Sequence, residues 1–270
     1  IALVKIGNSS NFNLNDLANR YAKTTVFQLN YNSLESDFQN FEQQASEYNL
    51  VLIIAEPSND DVGRKRFEMT EHCQSVIDRI AREKTTALLW NGNAKAMRFL
   101  SQNISLDAVV IGHESNDYSD DLGLQAFFGG RPIKGELKRK IDEIFISEGV
   151  SETNKIRLAY GLPEEVGINS LDLKKIDSIA KKGISEMAYP GCQVWFAKDG
   201  IVVINEAYGY HTYQTEQKVK QSDLYDLASI TKIAGSVAGL MKLTDEGTFN
   251  LDYRLCDYLS DWVDTTSYMQ

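Results

Sequence analysis

Cysteine and histidine are scarce in this sequence, with three residues of each among 270. They are Cys73, Cys192, Cys256, His72, His113 and His211. The cysteines are odd in number and widely spaced, which argues against a disulfide framework, and neither residue type shows the spacing of a metal site. We therefore expect structural roles for all six, and we predict no metal and no cofactor.

Long apolar runs are also missing. No run approaches the roughly 18 residues that a membrane-spanning helix requires, so we expect no membrane span. Acidic residues outnumber basic residues by 38 to 28, which gives a net charge of −10. This charge argues against nucleic acid or an anionic membrane as a partner. We also expect no signal peptide within these residues. Because the sequence opens inside an apolar strand, we expect it to be a segment of a longer protein, with about two domains in this length.

The first half alternates short apolar runs with amphipathic segments. The predicted strands are residues 1–6, 24–29, 50–55, 85–90 and 106–111, and the predicted helices are residues 14–21, 34–48, 97–100, 122–128 and one beginning at Thr70. The side chains predicted to face inward on two of these helices are Phe38, Phe41, Ala45, Val76, Ile77 and Ile80. Residues 50–55 are continuously apolar, as is typical of a strand covered on both faces. This order predicts an α/β fold, a mostly parallel sheet sandwiched by helices.

Sheets of this kind often bind ligands beyond the carboxyl ends of their strands. The first such turn, residues 7–11, lacks the second and third glycines that a dinucleotide requires, so nucleotide binding is not expected. Several acidic side chains also follow strands, and we interpret them as solvated loop charges rather than functional groups. They are Glu56, Asp60, Asp61, Glu114 and Asp117.

The strand and helix run over residues 50–55, 70–81, 85–91 and 107–114 resembles the C-terminal α/β domain of glycoside hydrolase family 3. Residues 126–137, AFFGGRPIKGEL, are similar to the closing segment of that domain, with a departure at Lys138, where proline is usual. The resemblance covers about residues 1–145 and implies a final strand over 138–145. The nucleophilic aspartate of that family lies on a separate barrel that this sequence lacks. No catalytic carboxylate is therefore carried over.

Glycine and proline interrupt residues 147–170, where no apolar period survives. We predict a domain over residues 1–148, a linker over 149–168 and a second domain over 169–270. The second domain begins with a predicted amphipathic helix, residues 171–187, and a hairpin of residues 192–197 and 201–208 around the turn Lys198-Asp199-Gly200. The helix's predicted buried stripe is Leu173, Ile176, Ile179, Ala180, Ile184 and Met187.

Ser229 and Lys232 stand three residues apart, so on a helix their side chains share one face. A serine becomes a nucleophile when a base takes its proton, and a lysine can be that base once burial lowers its pKa. Residues 229–246 are nearly all small or apolar, which predicts a helix buried on all sides around the pair. The alternative is that Ser229 only caps the helix while Lys232 extends outward. A second Ser-x-x-Lys copy, Ser178 and Lys181, lies at the solvated edge of the first helix and is interpreted as structural.

The order of these features resembles the opening of the serine β-lactamase and penicillin-binding-protein fold, nearest to its class C β-lactamase and esterase branch. The matching residues lie between Pro163 and Trp262: Pro190-Gly191, Lys198-Asp199-Gly200, Gly209-Tyr210, the run 225–232, Glu246-Gly247 and Leu251-Asp252. The resemblance implies an incomplete α+β β-lactamase-like domain in which Ser229 forms an acyl-enzyme and Lys232 takes or relays its proton. It also implies that the N–H of Ser229 supplies half of an oxyanion hole.

Taken together, the two resemblances imply a bacterial cell-envelope hydrolase, periplasmic or envelope-located. It would join a glycosidase to a serine β-lactamase, peptidase or esterase, with a small-molecule or peptidoglycan-derived substrate. The family's downstream tyrosine motif and Lys/His-Thr-Gly strand are not in these 270 residues. Tyr258-Leu259-Ser260 follows Ser229 too closely, and we interpret Tyr258 as packing. We therefore expect residues 1–270 alone to be inactive or nearly so. The alternative function is a non-catalytic carbohydrate- or partner-binding scaffold, and the oligomeric state is left open.

Overall fold

A computed structural model of the protein describes residues 1–7, 13–31, 33–57, 71–100, 104–135 and 153–261. Its strands are β1 (Ala2–Ile6), β2 (Thr25–Leu29), β3 (Leu50–Ala55), β4 (Thr85–Trp90), β5 (Ala108–Ile111), β6 (Ala159–Tyr160), β7 (Gly191–Lys198) and β8 (Ile201–Gly209). Its α-helices are α1 (Leu14–Tyr21), α2 (Glu35–Ala45), α3 (Glu71–Glu83), α4 (Asp117–Phe127), α5 (Ser170–Ser185), α6 (Ala238–Asp245) and α7 (Leu255–Tyr258). The segments Ala94–Phe99 and Pro163–Val166 are 3-10 helices, and Lys232–Val237 is π-helical.

The first five strands form a parallel sheet in the order β2-β1-β3-β4-β5. One face packs against α2 and α3 through Phe38 and Val76, and the other packs against α1 and α4 through Leu14 and Leu124. Because helices cover both faces, the side chains of the central strands are buried in both directions, which accounts for their continuous apolar sequence. The predicted fold class is confirmed. A second, mixed sheet follows it along the chain.

Three helices of the first half differ from prediction. The predicted helix over 34–48 covers only Glu35–Ala45, and the short helix predicted over 97–100 is a 3-10 helix over Ala94–Phe99. The predicted helix over 122–128 begins earlier, at Asp117, because the Asn116 side chain accepts a hydrogen bond from the Ser119 N–H at 2.9 Å. The strands over 50–55 and 85–90 have the predicted limits. All six side chains predicted to face inward are buried, namely Phe38, Phe41, Ala45, Val76, Ile77 and Ile80.

A buried ionic cluster lies where β1, β3 and β4 end. Lys5, on β1, is 0% exposed and forms ion pairs with Glu56, at 3.0 Å, and with Asp120 of α4. The Asn91 amide donates to Asp120 Oδ1 at 2.7 Å. The prediction that Glu56 is a solvated loop charge is therefore wrong, because the parallel strands bring this carboxylate against a lysine that is distant in sequence. Glu114 and Asp117 are exposed, as expected.

The second sheet has three strands in the order β6-β8-β7, and β7 and β8 form the predicted hairpin. At its turn Asp199 has a φ of 49° and Gly200 a φ of 77°. Positive φ at both central residues is the geometry of a tight hairpin turn that Asp-Gly favours. The Tyr208 hydroxyl on β8 donates to Asp177 of α5, which joins the helix to the hairpin.

Helix α5 buries less of its apolar stripe than the sequence predicts. Ala180 is buried, and Leu173, Ile176 and Ile184 are half-buried. Ile179 and Met187, in contrast, are exposed, so the prediction is wrong for these two positions. Met187 lies beyond the end of α5 at Ser185 and has a positive φ of 56°, so it does not continue the stripe of the helix.

Within the stretch predicted as a linker, the described residues 153–168 contact both parts of the chain. Strand β6 pairs with β8, and Arg131, which follows α4, holds Glu165 through two hydrogen bonds of 2.7 and 3.1 Å. The Tyr21 hydroxyl donates to the main-chain oxygen of Leu158 at 2.9 Å, and the Arg20 guanidinium lies 4.8 Å from the centre of the Tyr160 ring. These contacts join the two parts of the chain. The domain limits at 148 and 169 stay a prediction.

Several predicted features fall outside the described residues. They are Asp60, Asp61, the start of a helix at Thr70, the final strand over 138–145, and Trp262. Among the described helices, none has the length and apolar character needed to cross a membrane.

Candidate active site

Ser229 stands on a constrained turn at the entrance of the C-terminal helix. The N–H of Ala228 donates to Asp226 Oδ1 at 2.8 Å, which closes a local turn just before the serine. Ala228 has a φ of 43°, in the left-handed region that residues with a Cβ seldom adopt. The Ile230 N–H then donates to Leu227 O at 2.9 Å. The turn therefore presents the serine at the helix start rather than along its side.

The structure brings the two predicted site residues together. Lys232 Nζ donates to Ser229 Oγ at 3.1 Å, and Lys232 is also the first residue of the π-helical segment. Short π-helical segments are frequent at functional sites. In the second Ser-x-x-Lys copy the serine and the lysine do not contact each other. Ser178 Oγ donates instead to Lys174 O at 3.2 Å, and Lys181 is exposed.

The surroundings of this pair differ from the prediction. Every residue from 224 to 248 is exposed, including apolar side chains such as Ile233 and Met241, each 67% exposed. The prediction of a helix buried on all sides is therefore wrong for this structure. A helix of small, apolar residues is stabilised by packing against other elements, but its own sequence does not show which elements pack on it. No described strand or helix covers it, so the Ser229–Lys232 pair is solvated.

The loop that leads to the serine holds a histidine–carboxylate pair that sequence spacing did not reveal. His211 Nε2 lies 2.8 Å from Asp223 Oδ2, and the same carboxylate accepts the N–H of Lys220. The hydrogen bond from the Lys220 N–H is the largest cause that lowers the pKa of Asp223 below its usual value. The hydrogen bond and the charge of His211 lower it further. Gln193 of β7 also donates to the main-chain oxygen of Asp223 at 3.1 Å. These bonds anchor the loop six residues before Ser229. The two partners are twelve residues apart in an irregular loop, so no periodicity pointed to them.

The Ser229 N–H, expected to form half of an oxyanion hole, and Tyr258, interpreted as packing, can both be located. Among the described residues, none accepts a hydrogen bond from the Ser229 N–H. Tyr258 stacks with Phe249 and Tyr253 at ring distances of 4.9 and 6.0 Å, and its hydroxyl accepts the Asn250 N–H at 2.7 Å. Tyr258 therefore packs within its own small cluster. In the described part of the chain, no group of three or more His, Cys, Asp or Glu could hold a metal ion.

Comparison with known proteins shows what the C-terminal part of the chain is similar to. Residues 176–267 match the beta-lactamase family model. The chain is 30% identical over 127 residues to a putative D-alanyl-D-alanine carboxypeptidase of Escherichia coli K12, an alignment that covers 44% of this chain and 29% of that protein. It is 32% identical over 79 residues to Protein flp of Staphylococcus aureus NCTC 8325, covering 29% of this chain and 16% of that protein. The chain thus spans less than a third of the length of these relatives. Its C-terminal part is a β-lactamase-like region.

A solved structure overlaps the N-terminal half. It is a glycoside hydrolase family 3 β-N-acetylglucosaminidase from Paenibacillus sp. FPU-7, with a TM-score of 0.41 and 8% identity over 52% of this chain and 27% of that one. An overlap of this quality is too weak to assign a function. The family match over residues 176–267 agrees with the resemblance found in the second half of the sequence.

Proposed function

We propose that residues 169–270 carry the nucleophile half of a serine hydrolase active site, with Ser229 as nucleophile and Lys232 as its base. The observation that carries this proposal is the 3.1 Å contact between Lys232 Nζ and Ser229 Oγ, on a turn that opens a helix inside the β-lactamase-like region. The other Ser-x-x-Lys copy lacks that contact, which supports a role specific to residues 229–232. The reaction class is acyl transfer, through β-lactamase, peptidase or esterase chemistry.

In this mechanism the neutral Lys232 amine takes the proton of Ser229 Oγ as that oxygen attacks the substrate carbonyl carbon. The carbonyl π pair moves onto oxygen, and the Ser229 N–H donates to the resulting oxyanion. The pair returns as the bond to the leaving group breaks, and the leaving nitrogen or oxygen receives the proton from Lys232. Water then attacks the acyl-enzyme, releasing the acid and restoring the Ser229 hydroxyl.

Lys232 can act as a base only in a water-poor setting, because a solvated ammonium holds its proton. The helical segment that follows Ser229, residues 232–245, is called the serine helix here. It is exposed in this structure, so catalysis would require additional protein to cover it. The downstream tyrosine motif and Lys/His-Thr-Gly strand are not in this sequence either. We therefore expect residues 1–270 alone to show no acylation burst with a fluorescent penicillin or a p-nitrophenyl ester.

The proposal extends to the N-terminal part and to location. Residues 1–148 would be the α/β domain that accompanies a glycosidase, with the glycosidase's catalytic carboxylates on a barrel outside this sequence. The carboxypeptidase relative supports a periplasmic or envelope location and a peptidoglycan-derived substrate.

The test uses the native protein that contains this sequence. A fluorescent penicillin or p-nitrophenyl ester should acylate one serine, which peptide mass mapping should assign to position 229. Ser229→Ala should abolish labelling, Lys232→Met should slow it at least a hundredfold, as is usual for loss of a general base, and Ser178→Ala should leave it unchanged. Equal labelling of Ser229→Ala and the unsubstituted protein would overturn the assignment.

A second function is a non-catalytic scaffold or binding module. The exposure of both Ser229 and Lys232 favours it. It predicts that the native protein takes up no acyl label at all while still binding a ligand, so the same labelling experiment decides between the two functions.

A further inference from the structure

A polar groove of about 660 Å³ runs along the junction of the two parts of the chain. Helix α1 contributes Asp16 and Arg20, and β6 contributes Tyr160. The hairpin and the loop after it contribute Trp195, Asn205 and Gln221. None of these residues belongs to the Ser229–Lys232 turn, so the groove is a separate feature of the surface.

The groove contains two aromatic side chains, Trp195 and Tyr160. The Trp195 side chain projects from β7 and is 53% exposed, although tryptophan is highly buried on average in folded proteins. Beside it, the Arg20 guanidinium stacks on the Tyr160 ring, which fixes both side chains through a cation–π contact. An accessible indole with a fixed polar neighbour offers a ligand one flat apolar surface.

The polar groups of the groove are positioned before any ligand arrives. The Asn205 amide donates to Gln221 Oε1 at 3.3 Å, and Gln221 Nε2 donates back to the main-chain oxygen of Asn205. This reciprocal pair orients two amides next to the indole, and each amide combines donor and acceptor capacity. Preorganised polar groups of this kind give a site its specificity.

The charge of the groove narrows the class of ligand. Asp16 and Arg20 are four residues apart on α1 and carry opposite charges, so the groove has no excess of either sign. An anionic ligand would meet the Asp16 carboxylate, and a purely apolar ligand would make no use of the donor and acceptor capacity that remains on the two amides. A neutral saccharide has an apolar face of C–H groups for the indole and hydroxyls that both donate and accept.

From these features we propose that the groove binds a neutral oligosaccharide, with one sugar ring stacked on Trp195 and its hydroxyls hydrogen-bonded by Asn205, Asp16 and Arg20. Because residues of both α1 and the hairpin line the groove, the bound saccharide contacts both parts of the chain. The site does not depend on the acyl-transfer chemistry proposed for Ser229.

The test is isothermal titration calorimetry of the 270-residue chain with chitotetraose and with cellotetraose, two neutral oligosaccharides that differ in their acetamido groups. We expect saturable binding of at least one of them. Trp195→Ala should weaken it more than tenfold, as is usual for a buried aromatic anchor, while Trp195→Phe, which keeps a ring, should have a smaller effect. Asn205→Ala should also weaken binding.

Two variants serve as controls. Tyr213→Ala removes an aromatic ring that is 55% exposed but does not line the groove, and it should leave the affinity unchanged. Ser229→Ala should also bind normally, which separates this site from the proposed nucleophile. The proposal is overturned if neither saccharide binds, or if Trp195→Ala, shown by circular dichroism to be folded, binds as tightly as the unsubstituted chain.

Discussion

At the scale of single residues, the most constrained group of the molecule is Lys5. Burial alone would lower its pKa, but hydrogen bonds to Asp120 and Glu56 outweigh burial and raise it. Burial also raises the pKa of Asp120, with the negative charge of Glu56 adding to the effect and the Lys5 contact opposing it. Two carboxyl groups thus share one ammonium inside the protein. Removing that ammonium would leave both acids buried without their cation.

Substituting Lys5→Met should destabilise the protein by about 3–5 kcal/mol, the usual cost of breaking a buried ion pair. The measurement is the free energy of unfolding in urea. Because the pKa of Lys5 is raised above its usual 10.5, its contribution is fully present below that pH and is lost only as the pH rises through the higher folded-state value. The difference between variant and parent should therefore persist through neutral pH and disappear only in strongly alkaline solution.

Lys175→Met is the matched control, because its ammonium contacts Asp172 at 2.8 Å on the exposed surface of α5. An exposed pair of this kind contributes at most about 1 kcal/mol. If the two substitutions cost the same, the buried cluster does not have the role assigned to it.

The sequence revealed residues whose partners are close along the chain and missed those brought together by the fold. Ser229 and Lys232 were predictable, because three residues on a helix place two side chains on one face. The pairing of Lys5 with Asp120 spans 115 positions and depends on how α4 returns over the sheet. A lysine inside an otherwise apolar strand was the one available signal, since such a side chain is almost never buried without a partner.

At the scale of elements, the hairpin and the serine helix differ in how far sequence determines them. Asp199-Gly200 supplies the backbone conformation that the turn needs, so the limits of the hairpin followed from local chemistry alone. The serine helix was also predicted as a helix. Its burial depended on what packs against it, and that is a property of the rest of the fold. Local conformation was therefore predictable where burial was not.

The hairpin turn gives a prediction for Gly200→Ala. Gly200 has a φ of 77°, and a Cβ there would lie 2.4 Å from Lys155 Nζ. Lys155 is a flexible side chain that can move, so the main cost is the backbone strain, about 1 kcal/mol. Thermal or urea unfolding should detect a loss of that size.

Gly239→Ala supplies the comparison for the same exchange in another setting. Gly239 lies in α6, its φ is not positive, and no atom lies within 4 Å of the added Cβ. Alanine should stabilise this exposed helix by up to about 1 kcal/mol. A destabilisation of Gly239→Ala as large as that of Gly200→Ala would show that backbone conformation is not what the turn requires.

At the scale of the whole molecule, the notable feature is how the α/β part and the β-lactamase-like part meet. Tyr21 stacks on Phe128 at 5.1 Å and touches Tyr160 edge-on at 5.4 Å, while the Gln125 side chain accepts the Tyr160 N–H at 2.8 Å. Burial raises the pKa of Tyr21 to about 12, so its hydroxyl stays a hydrogen-bond donor at neutral pH. The sequence predicted only a linker over residues 149–168. Glycine and proline interrupt the apolar periodicity of a segment whether or not that segment packs against the rest of the protein.

The ion pair at this junction should respond to acid. The hydrogen bonds from Arg131 lower the pKa of Glu165 below its usual 4.5, so the pair contributes stability that is fully present above that pH and is lost as the pH falls through the lower folded-state value. Glu165→Gln should therefore reduce the free energy of unfolding at pH 7 by at most about 1 kcal/mol, since the pair is half-exposed. Urea unfolding from pH 7 to pH 3 should show this difference shrinking below about pH 4.5.

The control is an Arg131→Met background, in which most of the effect of Glu165→Gln should be absent at every pH. A difference that keeps its size down to pH 3, or that survives loss of Arg131, would mean that the Glu165 carboxylate does not hold the two parts together.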